Sequence, residues 1–355
     1  MLTIRPLARL APTLALALLC GCGSQPAAPT SPGGAVPPRG ATTSGVTLDE
    51  DLTARQVFPV DSWWNLDVTT APVDASSQAL IDWISGRTPQ NPTATRRLHP
   101  DFGPPPYGIP YVTVPGTQPL LPMTFTPYGA ESDAAAPGRP PGYPIPDEAQ
   151  TLPDYIEGGI AGGGSSGDRH LIVIDRDRWL LFETWATTWA GSPAHWQAGS
   201  GATWDLSANG RRPEGWTSAD AAGLAVFPGL IRYDEAFGAG PIRHAFRVTT
   251  RATNGYVWPA SHAAGSTVGA PPMGARLRMK ASVDLSGYPP ELRRIFQAMK
   301  TYGLMVADNG SDMYISGTMD ARWDNDVLNP AFHGLHADDF EVVQLGWTPG
   351  TVGVP

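Results

Sequence analysis

The stretch Leu304–Leu328, LMVADNGSDMYISGTMDARWDNDVL, gathers more side-chain carboxylates and amides behind an apolar run than any other part of the chain. Its first four residues, Leu304–Ala307, have the pattern of a short buried strand. The next five, Asp308–Asp312, form turns readily and cannot fill a core. We therefore expect a strand that ends at the rim of a sheet, where Asp308, Asn309 and Asp312 are candidate functional residues.

A second polar cluster, Trp323–Asp326, places an indole ring beside two carboxylates and an amide. This composition is typical of a sugar subsite, with Trp323 as the stacking ring, or of a site for a hard cation. No cofactor is expected, although calcium bound through Asp308, Asn309 and Asp312 is an alternative that lacks the EF-hand spacing. The structural alternative is that these residues only form turns.

Two segments have helical periodicity. In Pro290–Tyr302, apolar residues recur at helical spacing, with Pro290 suited to the first turn and Gly303 to the C-terminal cap. Ser76–Ile84 has the same pattern over a shorter length. The first helix leads directly into Leu304, which would hold the carboxylate of Asp308 on a rigid support.

A β-hairpin is predicted over His170–Asp175 and Trp179–Trp185. Alternation along the second strand places Glu183 and Trp185 on one face. A glycan cleft needs this pair, because the ring stacks on a sugar while the carboxylate transfers a proton. The alternative is that Glu183 pairs with an arginine such as Arg178. His170 is a further candidate, with Asp168, as a metal ligand, an acid/base group or a structural residue.

Charged residues also follow the apolar pair Leu230–Ile231, where a strand would end. Candidate site residues here are Arg232, Tyr233 and Asp234, and alternation separates Asp234 from Glu235. His244 lies on the next predicted strand, Arg243–Thr249. Thr217 and Asp220 have the spacing of a capping box, which favours a structural role for Asp220.

The segment Arg276–Lys280 places Arg276, Arg278 and Lys280 on one face of a predicted strand. Three cations in a row could hold an anionic polymer such as a uronate chain. The alternative is the solvent face of an edge strand that resists aggregation.

The N-terminal segment 1–22 has the pattern of a lipoprotein signal peptide. Two arginines precede the apolar run Leu14–Leu19, and Leu19–Cys22 resembles a lipobox, so we expect lipidation of Cys22. The run is too short to span a bilayer permanently. Residues 23–48, rich in Pro, Gly, Ser, Ala and Thr, are expected to form a disordered tether. Residues 49–355 are expected to form a single domain.

Composition narrows the class of protein. The formal net charge is −9 with 16% charged residues, whereas a general nucleic-acid binder would be basic. Both cysteines lie at positions 20 and 22, so residues 49–355 contain no thiol. The 40 glycines, 38 prolines and 12 tryptophans favour short strands joined by long loops. We predict a mainly β fold, a jelly-roll or concanavalin-like sandwich with a few short helices.

Three familiar motifs are rejected. Gly163–Gly167 matches G-x-S-x-G, but a glycine run precedes it and a strand follows it, which is the wrong context for a nucleophile elbow. The same glycines lack the Lys-Ser/Thr pair of a phosphate loop. The seven histidines contain no H-E-x-x-H or H-x-H spacing, so a zinc hydrolase is disfavoured and no metal site is predicted.

Four segments together resemble a family of secreted or lipid-anchored bacterial proteins. They are GDRH at Gly167–His170, WTSADAAGL at Trp216–Leu224, PGLIRYDE at Pro228–Glu235 and ADNGSD at Ala307–Asp312. The resemblance covers most of the chain after Phe58. It implies a bacterial, extracytoplasmic, lipid-anchored protein and implies no catalytic residues.

The sequence therefore predicts a glycan-active enzyme, foremost a glycoside hydrolase that uses two carboxylates from Glu183, Asp234, Asp308 and Asp312. Its partners would be a polysaccharide or oligosaccharide and, through the lipid, a membrane. One alternative is a polysaccharide lyase in which Arg243, Arg276 and Arg278 neutralise a uronate and His244 or Tyr233 is the base. The other is a non-catalytic carbohydrate-binding surface lipoprotein.

Overall fold

Short apolar runs separated by Gly- and Pro-rich segments become strands of two to six residues joined by long loops. The computed structural model describes residues 45–52, 55–134, 138–191 and 194–350. The expected signal peptide, the lipidation site Cys22 and residues 23–44 of the expected tether lie outside the described residues.

The strands of the described residues are β1 (Thr47–Leu48), β2 (His99–Gly103), β3 (Tyr111–Val114), β4 (Met123–Phe125), β5 (Leu171–Asp175), β6 (Leu180–Trp185), β7 (Thr188–Gly191), β8 (Ala194–Ala198), β9 (Ser200–Asp205), β10 (Phe246–Thr250), β11 (Arg276–Met279), β12 (Leu304–Asn309), β13 (Tyr314–Met319) and β14 (Phe340–Val342). The α-helices are α1 (Ser77–Ser85), α2 (Glu148–Thr151), α3 (Tyr233–Ala236), α4 (Pro290–Thr301) and α5 (Asn325–His333). The fold is therefore mainly β with a few short helices, as the composition predicts.

The strands form three mixed sheets, each an open row. Their orders are β1-β3-β5-β6-β9, β14-β11-β12-β10-β13-β2 and β4-β8-β7. Parallel pairs occur in all three, namely β3 with β5, β10 with β12, β13 with β2 and β4 with β8. These parallel pairs distinguish the sheets from the purely antiparallel pairing of a jelly roll.

The five-stranded sheet is buried on both faces, which explains why β5 reads LIVID with all five residues buried. Ile172, Ile174 and Leu181 belong to the main core with residues of the six-stranded sheet such as Phe246 and Val306. On the opposite face, Val112, Val173 and Phe182 pack with Tyr143 and Trp196. The predicted hairpin is confirmed as β5 and β6, paired antiparallel.

The amphipathic stripe of α4 packs on the main core through Leu292, Ile295, Phe296 and Met299. Gly303 has a φ of 78°, a left-handed conformation that favours glycine, and the chain passes through it directly into β12. The helix predicted from periodicity is thus present within one residue of its expected end.

Two sequence predictions about sheet edges are wrong. The prolines around Tyr111–Val114 predict an edge strand, but this segment is the fully buried interior strand β3. Arg276 and Arg278 belong to β11, which lies between β12 and β14, and both side chains are buried. In both cases other segments of the chain pack over the strand. The alternation of residues within one strand cannot predict such packing.

Strand β1 includes the last two residues of the segment expected to be a tether, and it pairs with β3. All described residues belong to one compact unit. Among them, no helix combines the length and apolar character needed to cross a membrane.

Candidate functional site

Polar side chains form a row across four neighbouring strands of the six-stranded sheet. The row consists of Asp308 on β12, Arg247 on β10, Ser316 on β13 and Asp101 on β2. Ser316 and Asp101 are register partners, so their side chains share one face. The guanidinium of Arg247 donates a 2.6 Å hydrogen bond from Nη1 to the Ser316 hydroxyl. The six-stranded sheet therefore carries a polar band across four of its strands.

A β-bulge places Asp308 in this row. Along the pairing of β10 with β12, Val248 faces Val306 but Thr249 faces Asp308, so Ala307 is an additional residue. Without the bulge, alternation would place Asp308 on the opposite face from Arg247. With it, Asp308 Oδ2 lies 3.6 Å from Arg247 Nη2. Bulges of this kind commonly re-aim a side chain beside an active site.

Arg247 forms a buried ion pair with Asp220. Its Nη2 and Nε atoms donate to the two carboxylate oxygens at 2.8 and 3.1 Å, a bidentate geometry. Residues 216–224, which include Asp220, form turns and contain no helix. The capping box expected for Thr217 and Asp220 is therefore absent. Asp220 therefore anchors Arg247, and this role is different from the cap predicted from spacing.

The loops before β5 bring a second group of polar residues to the row. His170 Nδ1 lies 2.7 Å from Glu157 Oε2, and His170 Nε2 lies 3.0 Å from the Ala219 carbonyl oxygen. Asp168 is exposed. Arg169 between them has a φ of 52°, an uncommon left-handed conformation for a residue other than glycine. We name Asp101, Glu157, Asp168 and Asp308, with Arg247 and His170, the acidic cluster.

Charge interactions connect the members of the acidic cluster. Burial alone lowers the pKa of His170, but the carboxylate of Glu157, aided by Asp168, outweighs it and raises the pKa to about 9. His170 is thus a cation at neutral pH. With Arg247, it offsets part of the negative charge of the surrounding carboxylates.

The pKa of Asp308 is raised to about 7, first by burial and then by Asp220 and Asp168, although Arg247 opposes the shift. Burial and Glu157 likewise raise the pKa of Asp101, whose side chain still reaches solvent. The Asp308 side chain is 27% exposed. Asp308 is therefore a carboxyl that can carry a proton near neutral pH and can contact a ligand.

Glu183 lies beneath this cluster and has no contact with solvent. Its two oxygens accept hydrogen bonds from the backbone N–H groups of Phe227 and Val226, at 2.7 and 2.9 Å, and from the indole of Trp204 at 3.3 Å. Burial raises the pKa of Glu183 to about 7 against the effect of these donors. The carboxylate fixes the position of the segment at Phe227. Glu183 therefore neither faces a cleft nor pairs with Arg178, the two possibilities considered from the sequence.

Trp185 borders the acidic cluster and is partly exposed. Its Nε1–H donates to Asp168 Oδ1 at 3.1 Å, and its ring lies 6.2 Å from that of Tyr128. A Cβ at Gly199 would approach the Trp185 ring to 2.3 Å, so the ring occupies space that only glycine leaves open. Asn309, next to Asp308, donates to the Ala264 carbonyl oxygen at 2.9 Å.

Four other predicted site residues lie together at a different place, around α3. Arg232, Asp234 and His244 surround Glu235, and the expected strand over 233–235 is a helix. This helix removes the alternation that was expected to separate Asp234 from Glu235. Tyr233 stacks on Phe237 with ring centroids 4.2 Å apart.

Trp323 and Asp312 do not have the positions expected of site residues. Trp323 is 5% exposed, its indole donates to the Thr318 carbonyl oxygen, and its ring packs on Phe102. Asp312 is 5% exposed and pairs with Arg251 at 2.7 Å. Both are therefore structural, and the carboxylate of Asp312 is held by Arg251 and Arg96.

The arginines proposed to neutralise a uronate also have other partners. Arg276 donates to the carbonyl oxygens of Trp63 and Leu66, and Arg278 to those of Val68, Thr69 and Ala71 and to Glu341. They fix the segment 63–71 on the sheet. Across the four described ranges, no group of three or more His, Cys, Asp or Glu side chains is arranged to hold a metal ion.

Sequence reasoning identified Asp308, His170 and Asp168, and a structural role for Asp220, but missed Arg247, Asp101 and Glu157. The usable signal for Arg247 was a single charge within the apolar strand Phe246–Val248. Asp101 followed a His-Pro pair in a segment expected to be loop, and Glu157 lay in a glycine-rich segment. Neither had a local pattern that distinguished it from turn-forming residues.

Comparisons of this chain with protein-family models, with curated proteins and with solved structures found no match.

Proposed function

We propose that this chain is an extracytoplasmic glycan-active hydrolase whose reaction takes place at the acidic cluster. The observation that supports this most is Asp308, a partly exposed carboxyl whose pKa is raised to about 7 by burial, by Asp220 and by a second, exposed carboxylate, Asp168. Glycoside hydrolysis needs one carboxyl group that donates a proton and one that acts as a base or nucleophile. The expected candidates for these two roles are a pair of carboxyl groups whose surroundings give them different pKa values.

In this proposal Asp308 donates its proton to the glycosidic oxygen as the bond to the anomeric carbon breaks. Asp168, oriented by the Trp185 indole, accepts a proton from the attacking water or itself attacks the anomeric carbon. Arg247 limits the rise in the pKa of Asp308 and holds it in place. The partly exposed ring of Trp185 is the platform for a sugar.

The distribution of charge favours hydrolysis over elimination. Two of the three arginines that the uronate lyase would use, Arg276 and Arg278, donate to backbone carbonyl oxygens. The accessible charges at the cluster are carboxylates, which repel an anionic sugar. The favoured substrate is therefore a neutral glycan.

The location and the finer fold class belong to the same proposal. Lipidation at Cys22 after a lipoprotein signal peptide would place the domain outside the cytoplasm, tethered to a bacterial membrane. The five- and six-stranded sheets share one core, which supports a sandwich of two layers. We propose that the fold is a two-layer sandwich related to the jelly-roll or concanavalin-like class, with mixed sheets in place of purely antiparallel ones.

The full-length protein would be incubated with neutral and acidic polysaccharides while reducing ends and unsaturated products are followed together. The proposal expects new reducing ends from a neutral glycan without ultraviolet-absorbing products. Unsaturated products would instead indicate a lyase. Binding to a polysaccharide column without any product would indicate a carbohydrate-binding protein.

A further inference from the structure

A cavity of about 330 Å³ lies near α3 and shares no residue with the acidic cluster. The residues that give it its character are Arg55, Arg232, Arg243, His244, Glu235 and Asn65. We call it the arginine pocket. Three guanidinium groups facing one carboxylate give its lining an excess of positive charge, in contrast to the net charge of −9 of the chain.

Ion pairs and hydrogen bonds connect the residues in the interior of the arginine pocket. Glu235 accepts from Arg232 Nη2 at 2.5 Å and lies 2.9 Å from His244 Nε2. Burial raises the pKa of Glu235, but Arg232 and His244 outweigh it, so that the pKa is lowered. Asp234, 3.6 Å from Arg232 Nε, also accepts from the backbone N–H of Leu52. Glu235 is thus engaged and leaves other donors of the pocket for a ligand.

Three buried polar atoms of the pocket residues have no hydrogen-bond partner in the described structure. They are Nη1 and Nε of Arg232, both donors, and Oδ1 of Asn65, an acceptor. Arg232 is 2% exposed and Asn65 is 6% exposed. The Asn65 amide is oriented, because its Nδ2 donates to the carbonyl oxygens of Val57, Phe58 and Pro59. Unpaired buried polar groups are unfavourable, and a ligand that forms hydrogen bonds with them recovers that cost.

The unpaired atoms belong to residues that line the cavity. The mouth has exposed guanidinium groups at Arg55 and Arg243. Arg55 is held in place by the Trp179 ring, 3.5 Å from its guanidinium carbon, and by a 2.6 Å hydrogen bond to the Arg176 carbonyl oxygen. A fixed arginine loses less conformational entropy when it binds an anion.

We propose that the arginine pocket binds a small hydroxylated carboxylate, the chemical class of the sugar acids. The carboxylate would accept from the guanidinium groups, for which its planar geometry is suited. A hydroxyl of the same molecule would donate to Asn65 Oδ1. The volume is of the order needed for a monosaccharide. A phosphate dianion is disfavoured, because Asp234 and Glu235 lie directly behind Arg232.

The test uses the full-length protein and titration calorimetry with three probes: glucuronate, glucose and inorganic phosphate. We expect glucuronate to bind and to bind at least tenfold more tightly than either other probe. Arg232 is buried between two carboxylates, so its substitution could unfold the chain. The exposed arginines are substituted instead, as Arg243→Gln and as the double variant Arg55→Gln/Arg243→Gln.

The single variant is expected to weaken glucuronate binding about fivefold and the double variant more, whereas Arg97→Gln, an exposed arginine elsewhere, should leave it unchanged. Equal affinity for phosphate or glucose would overturn the assignment of the ligand class. Undetectable glucuronate binding at millimolar concentration, or unchanged binding in the double variant, would overturn the site. None of these readouts depends on glycan hydrolysis.

Discussion

Arg247 contacts two carboxylates in different ways. It binds Asp220 through two hydrogen bonds in the interior and approaches Asp308 to 3.6 Å at the surface. The guanidinium of Arg247 therefore forms the hydrogen bonds of the buried Asp220 carboxylate and also limits the rise in the pKa of the accessible Asp308. The bulge in β12 makes this arrangement possible, because it brings Asp308 onto the face that carries Arg247.

Arg247→Met is expected to destabilise the fold by about 3–5 kcal/mol, because it leaves Asp220 buried and unpaired. The double variant Asp220→Asn/Arg247→Met removes both charges and should recover part of this loss. Urea unfolding measures both. The control Arg97→Met, at an exposed arginine, should change the free energy of unfolding by less than about 0.5 kcal/mol. A single variant as stable as the control would show that the ion pair is not structural.

His170 and Glu157 predict a loss of stability at alkaline pH. Because the pKa of His170 is raised from 6.5 to about 9, the folded chain binds this proton more tightly than the unfolded chain. The stabilisation is complete below pH 6.5 and is lost as the pH rises through 9, an effect of about 3 kcal/mol. Glu157→Gln should reduce this slope, measured by urea unfolding from pH 6 to 9.5. The exposed-pair variant Glu214→Gln is the control, and equal slopes in both would refute the prediction.

Glu183 predicts a slope in a lower pH range. Its pKa rises from 4.5 to about 7 on folding, so its contribution is present below pH 4.5 and is lost as the pH rises to 7. Asp308 adds to the same trend. Glu183→Gln should flatten this region in urea unfolding, because an amide does not ionise between pH 4.5 and 7.

Because Glu183 is buried beneath the cluster, Glu183→Gln is also expected to retain turnover. The measurement is the rate of release of reducing ends at a pH and temperature where both proteins are folded. Lost turnover with an unchanged pH dependence of stability would instead place Glu183 in the chemistry.

The two tryptophans predicted as sugar platforms should respond differently to truncation. Trp185→Ala removes a partly exposed ring and is expected to weaken glycan binding about tenfold with little loss of stability. Trp323→Ala removes a buried ring that packs on Phe102 and should cost about 3–5 kcal/mol. Affinity electrophoresis and urea unfolding separate the two effects. Equal effects on stability would contradict the assignment of Trp185 to the surface.

The sequence predicted those elements whose pattern is local. The stripe of α4 and the alternation of β5 and β6 repeat within a few residues, so their positions could be found. The relation of Arg247 to Asp220 is different, because the partners are 27 residues apart and meet only after folding. Asp308 was selected for its rim position, yet its orientation depends on pairing between β10 and β12. Glu183 satisfied the expected alternation but faces backbone donors from Val226 and Phe227, which no spacing reveals.

The most direct test of the proposed function is the pH–rate profile of Asp308→Asn on a glycan that the wild-type protein hydrolyses. The account predicts that wild-type kcat falls above about pH 7, as the proton of Asp308 is lost. Asp308→Asn should lower kcat by about 10²–10⁴-fold with the fold intact, while the exposed-site control Asp326→Asn retains it. Wild-type kcat in the folded Asp308→Asn protein would contradict the assignment of Asp308 as the acid.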